Sequence, residues 1–302
     1  MGPSSTGACA YKVRASRSDF ERQSAAALPQ LSVIVITRNE SSQIVGCLNS
    51  VRFADEWIVV DCGSNDNTVE LARRWGAAVY IHSDWPGFGP QKNRALAYAR
   101  GQWVLSLDAD ERVTPELAAE IERVLADPNA ADGYTAPRLS AYCGGFLRHG
   151  GWWPDRVLRL FRRQAGRFSD RLVHETVHVN GEVKALHAHF VHYTYPTVES
   201  VIDKMNAYST AGALTMLQRN RRAGLLQAVL HGLWSFVRGY FLRAGFLDGT
   251  RGFLLAVSNA ENVYYRYVKL WLMDQQLAND AKQNESSCHG KSLSSLRAAS
   301  SR

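Results

Sequence analysis

The stretch Trp103-Val-Leu-Ser-Leu-Asp-Ala-Asp-Glu111 decides the expected fold of this chain. Its apolar part, Trp103 to Leu107, has the length of a buried strand, and the acids Asp108 and Asp110 follow at once. Because side chains two positions apart in an extended chain point to the same side, both carboxylates should face one site at the strand's carboxyl end. Two acids so placed repel each other, so we expect a cation between them. Mg²⁺ or Mn²⁺ suits carboxylate ligands best, and it is usually shared with a phosphate.

Three interpretations of these acids stay open on this stretch alone. They could be solvated residues that begin the next loop. They could be the paired acids of a phosphatase of the haloacid dehalogenase type. In that group, however, Thr or Val follows the second acid two residues later, where this chain has Arg112, and the pair follows the first strand rather than a later one. The third interpretation is a DXD motif, in which two acids hold a metal ion against a nucleotide sugar.

Length and composition limit the class of protein. A chain of 302 residues, 46% hydrophobic and 21% charged, can bury one large or two modest cores. The net charge of +7 indicates an anionic partner, such as nucleic acid, a membrane surface or a phosphorylated substrate. The five cysteines are scattered and lack CxxC spacing, which argues against a disulfide framework or a zinc site and favours the cytoplasm.

The order of apolar runs predicts an α/β fold with a mostly parallel sheet and helices on both faces. Strands are expected at Leu31–Thr37, Trp57–Asp61, Ala78–His82 and Trp103–Leu107. Helices are expected to begin near Ser41, Thr68, Gln91 and Thr114, with Asn67 and Glu70 as a capping box for the second and Thr114-Pro115 as the start of the fourth. Short alternating runs after Asp132 indicate antiparallel additions, and the chain turns helical from Thr197 onward.

Polar residues suited to a nucleotide diphosphate follow the ends of successive predicted strands. They are Thr37, Asn39 and Glu40, then Asp61 and Asp66, then Lys92, and finally Asp108 and Asp110. An acid at the end of the second strand can accept a hydrogen bond from a ribose hydroxyl or a base N–H. A lysine beside a helix N-terminus can neutralise phosphate. Each residue alone could be an ordinary turn former or solvated charge, but four sets on consecutive strand ends favour one binding site.

These motifs resemble those of family 2 glycosyltransferases with the GT-A, Rossmann-like fold. They are Leu-Ser-Val-Ile-Val-Ile-Thr-Arg-Asn-Glu40, Val-Val-Asp-Cys-Gly-Ser-Asn-Asp-Asn-Thr68, Gly-Pro-Gln-Lys-Asn-Arg94 and Leu-Ser-Leu-Asp-Ala-Asp-Glu111. Further stretches resemble bacterial lipopolysaccharide core β-1,4-glucosyltransferases. They are Gly-Trp-Trp-Pro-Asp155, Arg159-Leu-Phe-Arg162, Leu-Val-His-Glu175, Gly245-Phe-Leu-Asp-Gly249 and Tyr267-Val-Lys-Leu-Trp271.

The resemblance implies roles for the strand-end residues. The uridine and diphosphate pocket would be lined by Thr37, Glu40, Asp61 and Lys92, while Asp108 would face the ribose and the metal and Asp110 would bind the metal directly. In this chain Asn65 stands before Asp66, where many relatives have a second acid, so the role of Asp66 is open.

An inverting transfer also needs a general base that deprotonates the acceptor hydroxyl. The resemblance places this base at Glu175, with Asp155 and Asp170 as alternatives. His187 and His189 would share one face of an extended segment, so either could complete the metal shell.

The resemblance also implies a donor, an acceptor and a domain plan. The donor would be UDP-glucose and the acceptor a heptose of the lipopolysaccharide inner core. Another nucleotide sugar, another glycolipid acceptor and a non-catalytic nucleotide-sugar-binding module stay open. We expect a disordered segment over residues 1–30, a GT-A catalytic domain over 31–195, a helical extension over 196–278 and a disordered tail over 279–302.

Two basic regions bear on the partner. Between Arg138 and Arg171, eight arginines stand against two acids, where an anionic glycolipid would dock. No nucleic-acid-binding motif accompanies them, and strand-end carboxylates would repel a phosphate backbone. The apolar stretch 225–247 contains Arg238 and Arg243, which favours a helix at a membrane surface over a spanning one, with packing on the catalytic domain as the alternative. We therefore expect a cytoplasmic protein, peripheral on the inner membrane.

Overall fold

The computed structural model describes residues 29–169 and 176–299. Its strands are β1 (Leu31–Thr37), β2 (Glu56–Asp61), β3 (Ala78–Ile81), β4 (Trp103–Asp108), β5 (Glu111–Val113), β6 (Gly133–Tyr142), β7 (Gly145–Phe146), β8 (Asp155–Arg162), β9 (Gly166–Phe168), β10 (Val177–Val179), β11 (Val183–Ala185) and β12 (Phe190–Tyr195). Its helices are α1 (Ile44–Asn49), α2 (Thr68–Trp75), α3 (Phe88–Tyr98), α4 (Pro115–Ala126), α5 (Val198–Gln218), α6 (Leu225–Val237) and α7 (Gly249–Ala299). A π-helical turn, Arg238–Leu242, and a 3-10 turn, Gly245–Asp248, join α6 to α7.

The main sheet is mixed, with the strand order β3-β2-β1-β4-β8-β6-β12-β5. Strands β3, β2, β1 and β4 run parallel, so the carboxyl ends of β1, β2 and β4 meet at one edge. Strand β8 runs antiparallel to both β4 and β6, as predicted for the region after Asp132. Strand β11 differs from that prediction, because it pairs parallel with β6. The predicted α/β class is confirmed, and only the first half of the sheet is purely parallel.

Strand β1 is buried over its whole length because helices cover both faces of the sheet. Leu31, Val33 and Val35 pack into one core with residues of α1, α2 and α4. Ile34 and Ile36 face the other way and pack with α3 and with aromatic residues of β8 and β9. Full burial of an aliphatic side chain contributes about 1.5–3 kcal/mol, so this two-sided core holds the strand ends in fixed positions.

Helix caps only partly follow the sequence prediction. Thr114 caps α4 as expected, accepting a hydrogen bond from the Leu117 N–H at 3.3 Å. The predicted capping box of α2 is wrong, since the Asn67 side chain makes no cap hydrogen bond. The Asp66 carboxylate instead accepts from the Thr68 N–H at 3.0 Å, because an acid before the first turn satisfies free N–H groups and complements the helix dipole.

The helical extension packs through both sides of α7. Lys269 Nζ donates to three side chains of α5, those of Asn206, Ser209 and Thr210, at 2.7–2.8 Å. On the α6 side, the His231 ring stacks on Tyr267 with ring centroids 4.4 Å apart. Among residues 29–169 and 176–299, no helix combines the length and apolar character needed to cross a membrane.

Candidate active site

Asp61, at the end of β2, is completely buried and takes its hydrogen bonds from its own neighbourhood. Its carboxylate accepts from Thr37 Oγ1 at 3.0 Å and from the Gly63 and Ser64 N–H groups at 2.9 and 2.8 Å. These contacts join the end of β1 to the loop after β2. Asp61 therefore connects the two loops from a buried position. Its contact with the nucleoside stays a prediction.

The loops after β1 and β2 are bound to each other by a second set of hydrogen bonds. Asn39 lies in the left-handed region with φ 58°, and its N–H donates to Ser64 Oγ at 2.8 Å. The Glu40 N–H donates to Thr68 Oγ1 at 2.8 Å. Asp66 accepts from the Ser41 N–H, and hydrogen bonds, above all from the Thr68 hydroxyl, lower the pKa of its exposed carboxyl to about 2. Asp66 thus orders this loop pair and starts α2.

Asp108, the last residue of β4, is held between two cations. Lys92 Nζ lies 2.9 Å from Oδ1, and Arg159 Nη2 lies 2.5 Å from Oδ2. Burial alone would raise the pKa of Asp108, but Arg159 and Lys92 outweigh it and hold this pKa well below its usual range. The positive charge expected beside the strand-end acids is therefore supplied in part by the protein.

Glu111 completes this ionic cluster, although the sequence analysis assigned it no role. Its fully buried carboxylate accepts from Arg159 Nη2 at 2.6 Å, from Arg138 Nη1 at 3.1 Å and from the Asp108 N–H at 3.1 Å. Burial opposes the charge of Arg159, but the paired carboxylates raise its pKa above the ordinary value. Arg159 and Glu111 together fix the chain around Asp108. In the sequence, Arg159 and Glu111 lie within motifs that were noted for other residues, and nothing else there indicated their role.

Asp110 lies in the turn between β4 and β5 and meets a histidine. Its Oδ2 lies 3.3 Å from His192 Nε2, and its backbone carbonyl accepts from the Tyr193 N–H at 2.9 Å. The Nδ1 of His192 lies 3.1 Å from Ser140 Oγ, which fixes the orientation of the ring. The expected histidines lie elsewhere. The segment of His187 and His189 is not extended; the His187 N–H donates to Glu120, and the His189 ring packs against Trp153.

The residues present can be compared with the needs of a divalent cation. The described part of the chain holds no group of three or more histidine, cysteine, aspartate or glutamate side chains placed to bind a metal by themselves. Asp110 and His192 form an oxygen–nitrogen pair that fits Mn²⁺ or Mg²⁺ when a substrate diphosphate and water fill the other positions. Asp108 fits less well as a direct ligand, since each of its oxygens already faces a cation.

Asp110 opens into a cleft of about 1400 Å³ between the strand ends and the helical extension. Of the residues predicted for the site, Thr37, Glu40, Asp108, Asp110 and Asp155 line it. Asp61 and Lys92 are buried behind its wall, whereas Asn39 and Asp66 are exposed in the loops beside it. Glu175 and Asp170 lie outside the described residues. The lining is completed by residues that were not predicted for the site, above all Trp85, Phe88, His192, Lys204, Tyr208, Arg219, Asn262 and Arg266.

Glu40 is an acid of this cleft with a raised pKa. Its pKa is raised to about 7, first because the carboxyl is partly buried and then because Asp110 repels its charge; Lys204 acts in the opposite direction. A cation bound beside Asp110 would reduce this repulsion. The electrostatics of the cleft therefore favour positive charge next to Asp110.

The arginine-rich segment makes several contacts within the protein, and its predicted docking of an anionic glycolipid stays a prediction. Arg138 and Arg159 bind carboxylates of the site, Arg162 lies over the Trp103 ring at 4.6 Å, and Arg163 donates to the Gly101 carbonyl. These four guanidinium groups thus have partners within the fold, and two of them, those of Arg138 and Arg159, neutralise carboxylates of the site.

The chain is similar in sequence to known glycosyltransferases. The model of the family described as "Glycosyl transferase family 2" matches residues 32–180. An uncharacterized glycosyltransferase of Rickettsia conorii is 30% identical over 258 residues, which cover 80% of this chain and 89% of the relative. The lipopolysaccharide core biosynthesis glycosyltransferase LpsC of Rhizobium meliloti is 28% identical over 252 residues, or 80% of this chain and 92% of LpsC. Among solved structures, the mannosyltransferase PcManGT of Pyrobaculum calidifontis, in complex with GDP-Man and Mn²⁺, is 16% identical over 81% of this chain and 88% of its own, with a TM-score of 0.48. The family match and the extent of the Rickettsia relative identify the chain as a member of glycosyltransferase family 2, and therefore as an enzyme.

Proposed function

We propose that the enzyme transfers a hexose with inversion from a nucleotide sugar, UDP-glucose in the first instance, to a heptose of the lipopolysaccharide inner core. The observation that carries the chemistry is the Asp110–His192 pair at the open cleft beside the strand ends. The acceptor class is supported by the similarity to LpsC, which is named for lipopolysaccharide core biosynthesis. The four strand-end motifs of the sequence support the donor class.

The proposed division of labour follows from the contacts. Asp110 and His192 would hold Mg²⁺ or Mn²⁺, which stabilises the charge on a leaving nucleoside diphosphate. Asp108 is anchored by Lys92 and Arg159, so its role is to position the turn that carries Asp110 and to face the ribose. Trp85 and Phe88, packed edge to face at 4.8 Å, offer an apolar surface at the cleft for a base or sugar ring.

The general base is assigned to Glu175, as the sequence predicts. Glu175 and its alternative Asp170 lie outside the described residues, whereas the other alternative, Asp155, lines the cleft. Arg138 donates twice to Asp155 Oδ2, at 3.0 and 2.6 Å, so this carboxylate is already held in an ion pair. This contact favours Glu175 over Asp155.

The experiment is a panel of nucleotide sugars assayed on truncated lipopolysaccharide with Mg²⁺ or Mn²⁺, using Asp110→Ala as the inactive control. We expect one donor to give product only when the metal is present. Product with another donor, or with a different lipid-linked acceptor, would replace the sugar or acceptor in this proposal. Tight donor binding without product on any acceptor would instead indicate a nucleotide-sugar-binding module.

A peripheral position on the cytoplasmic face of the inner membrane is proposed for the extension. It rests on the α6 apolar face, which consists of Leu226, Leu230, Leu233 and Trp234 and lies on one stripe of the helix. These side chains are 54–71% exposed, an unusual state for large apolar residues. Arg238 and Arg243 follow in the next turns and would contact anionic head groups. Release from membranes by salt or alkaline washing is the expected behaviour.

A further inference from the structure

One wall of the cleft comes from the helical extension and carries unneutralised positive charge. Arg219, which caps the end of α5, and Arg266, on α7, both line the cleft. Within residues 29–169 and 176–299, neither of these arginines forms an ion pair with an acid, unlike Arg138 and Arg159 deeper in the site. A charged guanidinium facing a cleft without a carboxylate is a ready partner for an anion from outside the protein.

Arg266 is placed by close packing rather than by a salt bridge. It lies across Gly212 of α5, where an added Cβ would come within 2.7 Å of the Arg266 Nε. The Nε atom is buried without a hydrogen-bond partner, and so is Oδ1 of Asn262, one helical turn earlier on α7. Lys269, three residues later, fixes α7 to α5. The wall is therefore a closely packed surface, and Arg266 and Asn262 both line the cleft from it.

The acids of the cleft lie at the strand ends. Glu40 and Asp110 line it there, with Lys204 as a nearby cation. A donor diphosphate with its cation would be held on this acidic side. A second anion entering the same cleft would be repelled from the acids and attracted to the wall that carries Arg219 and Arg266.

We propose that Arg219 and Arg266 bind an oxyanion, phosphate or carboxylate, carried by the acceptor near the hydroxyl that reacts. The role of this subsite in acceptor binding rests on the proposed transferase function. The binding of an oxyanion by Arg219 and Arg266 can be tested without it. Two guanidinium forks can each take both oxygens of such a group, which would fix the orientation of the acceptor in the cleft. The acceptor of this enzyme is thus an anionic glycan rather than a neutral one.

The test uses the double variant Arg219→Ala/Arg266→Ala in the full-length protein. Its matched control is Arg221→Ala/Arg222→Ala, which removes the same charge from exposed residues that do not line the cleft. Acceptors are the oligosaccharide released from truncated lipopolysaccharide, its dephosphorylated form and its carboxyl-reduced form. We expect the double variant to raise the acceptor KM about 10-fold or more with kcat and donor KM nearly unchanged, because a charged hydrogen bond is lost only in acceptor binding.

The modified acceptors identify the anion. If phosphate is bound, the double variant and the wild type should have equal KM for the dephosphorylated acceptor; if carboxylate is bound, this equality should occur with the carboxyl-reduced acceptor. The same KM increase in the Arg221/Arg222 control, or an unchanged KM in the double variant, would overturn the subsite.

A binding measurement separates this subsite from the proposed function. Inorganic phosphate and acetate are titrated by calorimetry into protein saturated with UDP and Mg²⁺, so that the donor pocket is filled. Weaker binding of either anion by the double variant than by its control supports the subsite even if no oligosaccharide is a substrate. Equal binding by both variants contradicts it, whatever the transferase assays give.

Discussion

The carboxylate of Asp108, one third exposed, and the buried guanidinium of Arg159 form an ion pair, with Oδ2 and Nη2 2.5 Å apart. The two residues come from neighbouring antiparallel strands, β4 and β8. The pair keeps the pKa of Asp108 low, so its charge belongs to the folded state at every ordinary pH. Removing one partner of such a pair lowers the free energy of unfolding by a measurable amount.

We expect Arg159→Met to destabilise the fold by about 3–5 kcal/mol, because Asp108 and Glu111 would then lose their shared cation. The sign of the pH effect follows from the lowered pKa of Asp108: its stabilisation is present above the ordinary aspartate pKa and is lost only at lower pH. The variant should therefore unfold in acid at a higher pH than the wild type. Urea unfolding at pH 7 and acid titration followed by circular dichroism measure both effects, and Arg163→Met serves as a control.

Asp108 and Asp110 should respond differently to the same substitution. Asp110→Ala removes a carboxylate that faces the cleft and should abolish metal-dependent turnover while melting close to the wild type. Asp108→Ala leaves Lys92 and Arg159 without their shared carboxylate and should lower the melting temperature by several degrees. Mn²⁺ titration and thermal melting of the two variants make the comparison. Full turnover in Asp110→Ala would reject the DXD interpretation.

Glu40 should lower the free energy of unfolding as pH rises, whereas an ion-paired acid with a lowered pKa raises it. Because its folded pKa of about 7 lies above its ordinary value of 4.5, the folded protein loses stability as pH rises from about 4.5 to 7. Glu40→Gln should therefore melt higher than the wild type at pH 8 without metal and close to it at pH 4.5. Added Mg²⁺ should reduce the difference in melting temperature between Glu40→Gln and the wild type at pH 8. Glu70→Gln, an exposed change on α2, should show no such dependence.

Glu175→Gln tests the general base. The amide keeps the size of the side chain but cannot take the acceptor proton, so turnover should fall by about 10²–10⁴-fold. Donor and metal binding should hardly change, because Asp110 and the strand ends are intact. Turnover and melting temperature are measured on one preparation. A fall in both together would indicate a structural glutamate, and unchanged turnover would move the role to Asp155 or Asp170.

Membrane association should depend on the α6 apolar face. Replacing Leu226, Leu230 and Leu233 with Ser should weaken binding to vesicles that contain anionic lipid, and each of Arg238 and Arg243 should add about 1 kcal/mol near such a surface. Flotation with vesicles measures the bound fraction. Leu272→Ser and Leu277→Ser, at exposed positions of α7, provide the control. Equal flotation of all variants would contradict the assigned face.

Sequence patterns predicted those parts of the structure that depend on residues close to one another along the chain. The bounds of β1, the start of α2 and the Thr114 cap are correct, because strand burial and helix capping act over a few positions. The clustering of acids at the ends of β1, β2 and β4 also followed from sequence, since parallel strands share one edge.

The missing parts of the site depend on contacts between distant segments. His192 reaches Asp110 because β12 pairs antiparallel with β5, which places His192 opposite Glu111. Arg159 reaches Asp108 and Glu111 because β8 lies beside β4. No periodicity within β8 or β12 fixes these neighbours. The helical wall of the cleft likewise depends on how α5 and α7 pack, which the apolar pattern of either helix leaves open.

Helix α7 contacts α5 through Lys269 and α6 through Tyr267, so one rigid rod joins the cleft to the α6 apolar face. When that face lies on a bilayer, α7 determines how far the cleft stands above the lipid. The distance follows from the helical rise of about 1.5 Å per residue. An acceptor anchored in the same bilayer then reaches the cleft by diffusion in two dimensions. The rate of transfer would follow the surface density of acceptor rather than its bulk concentration.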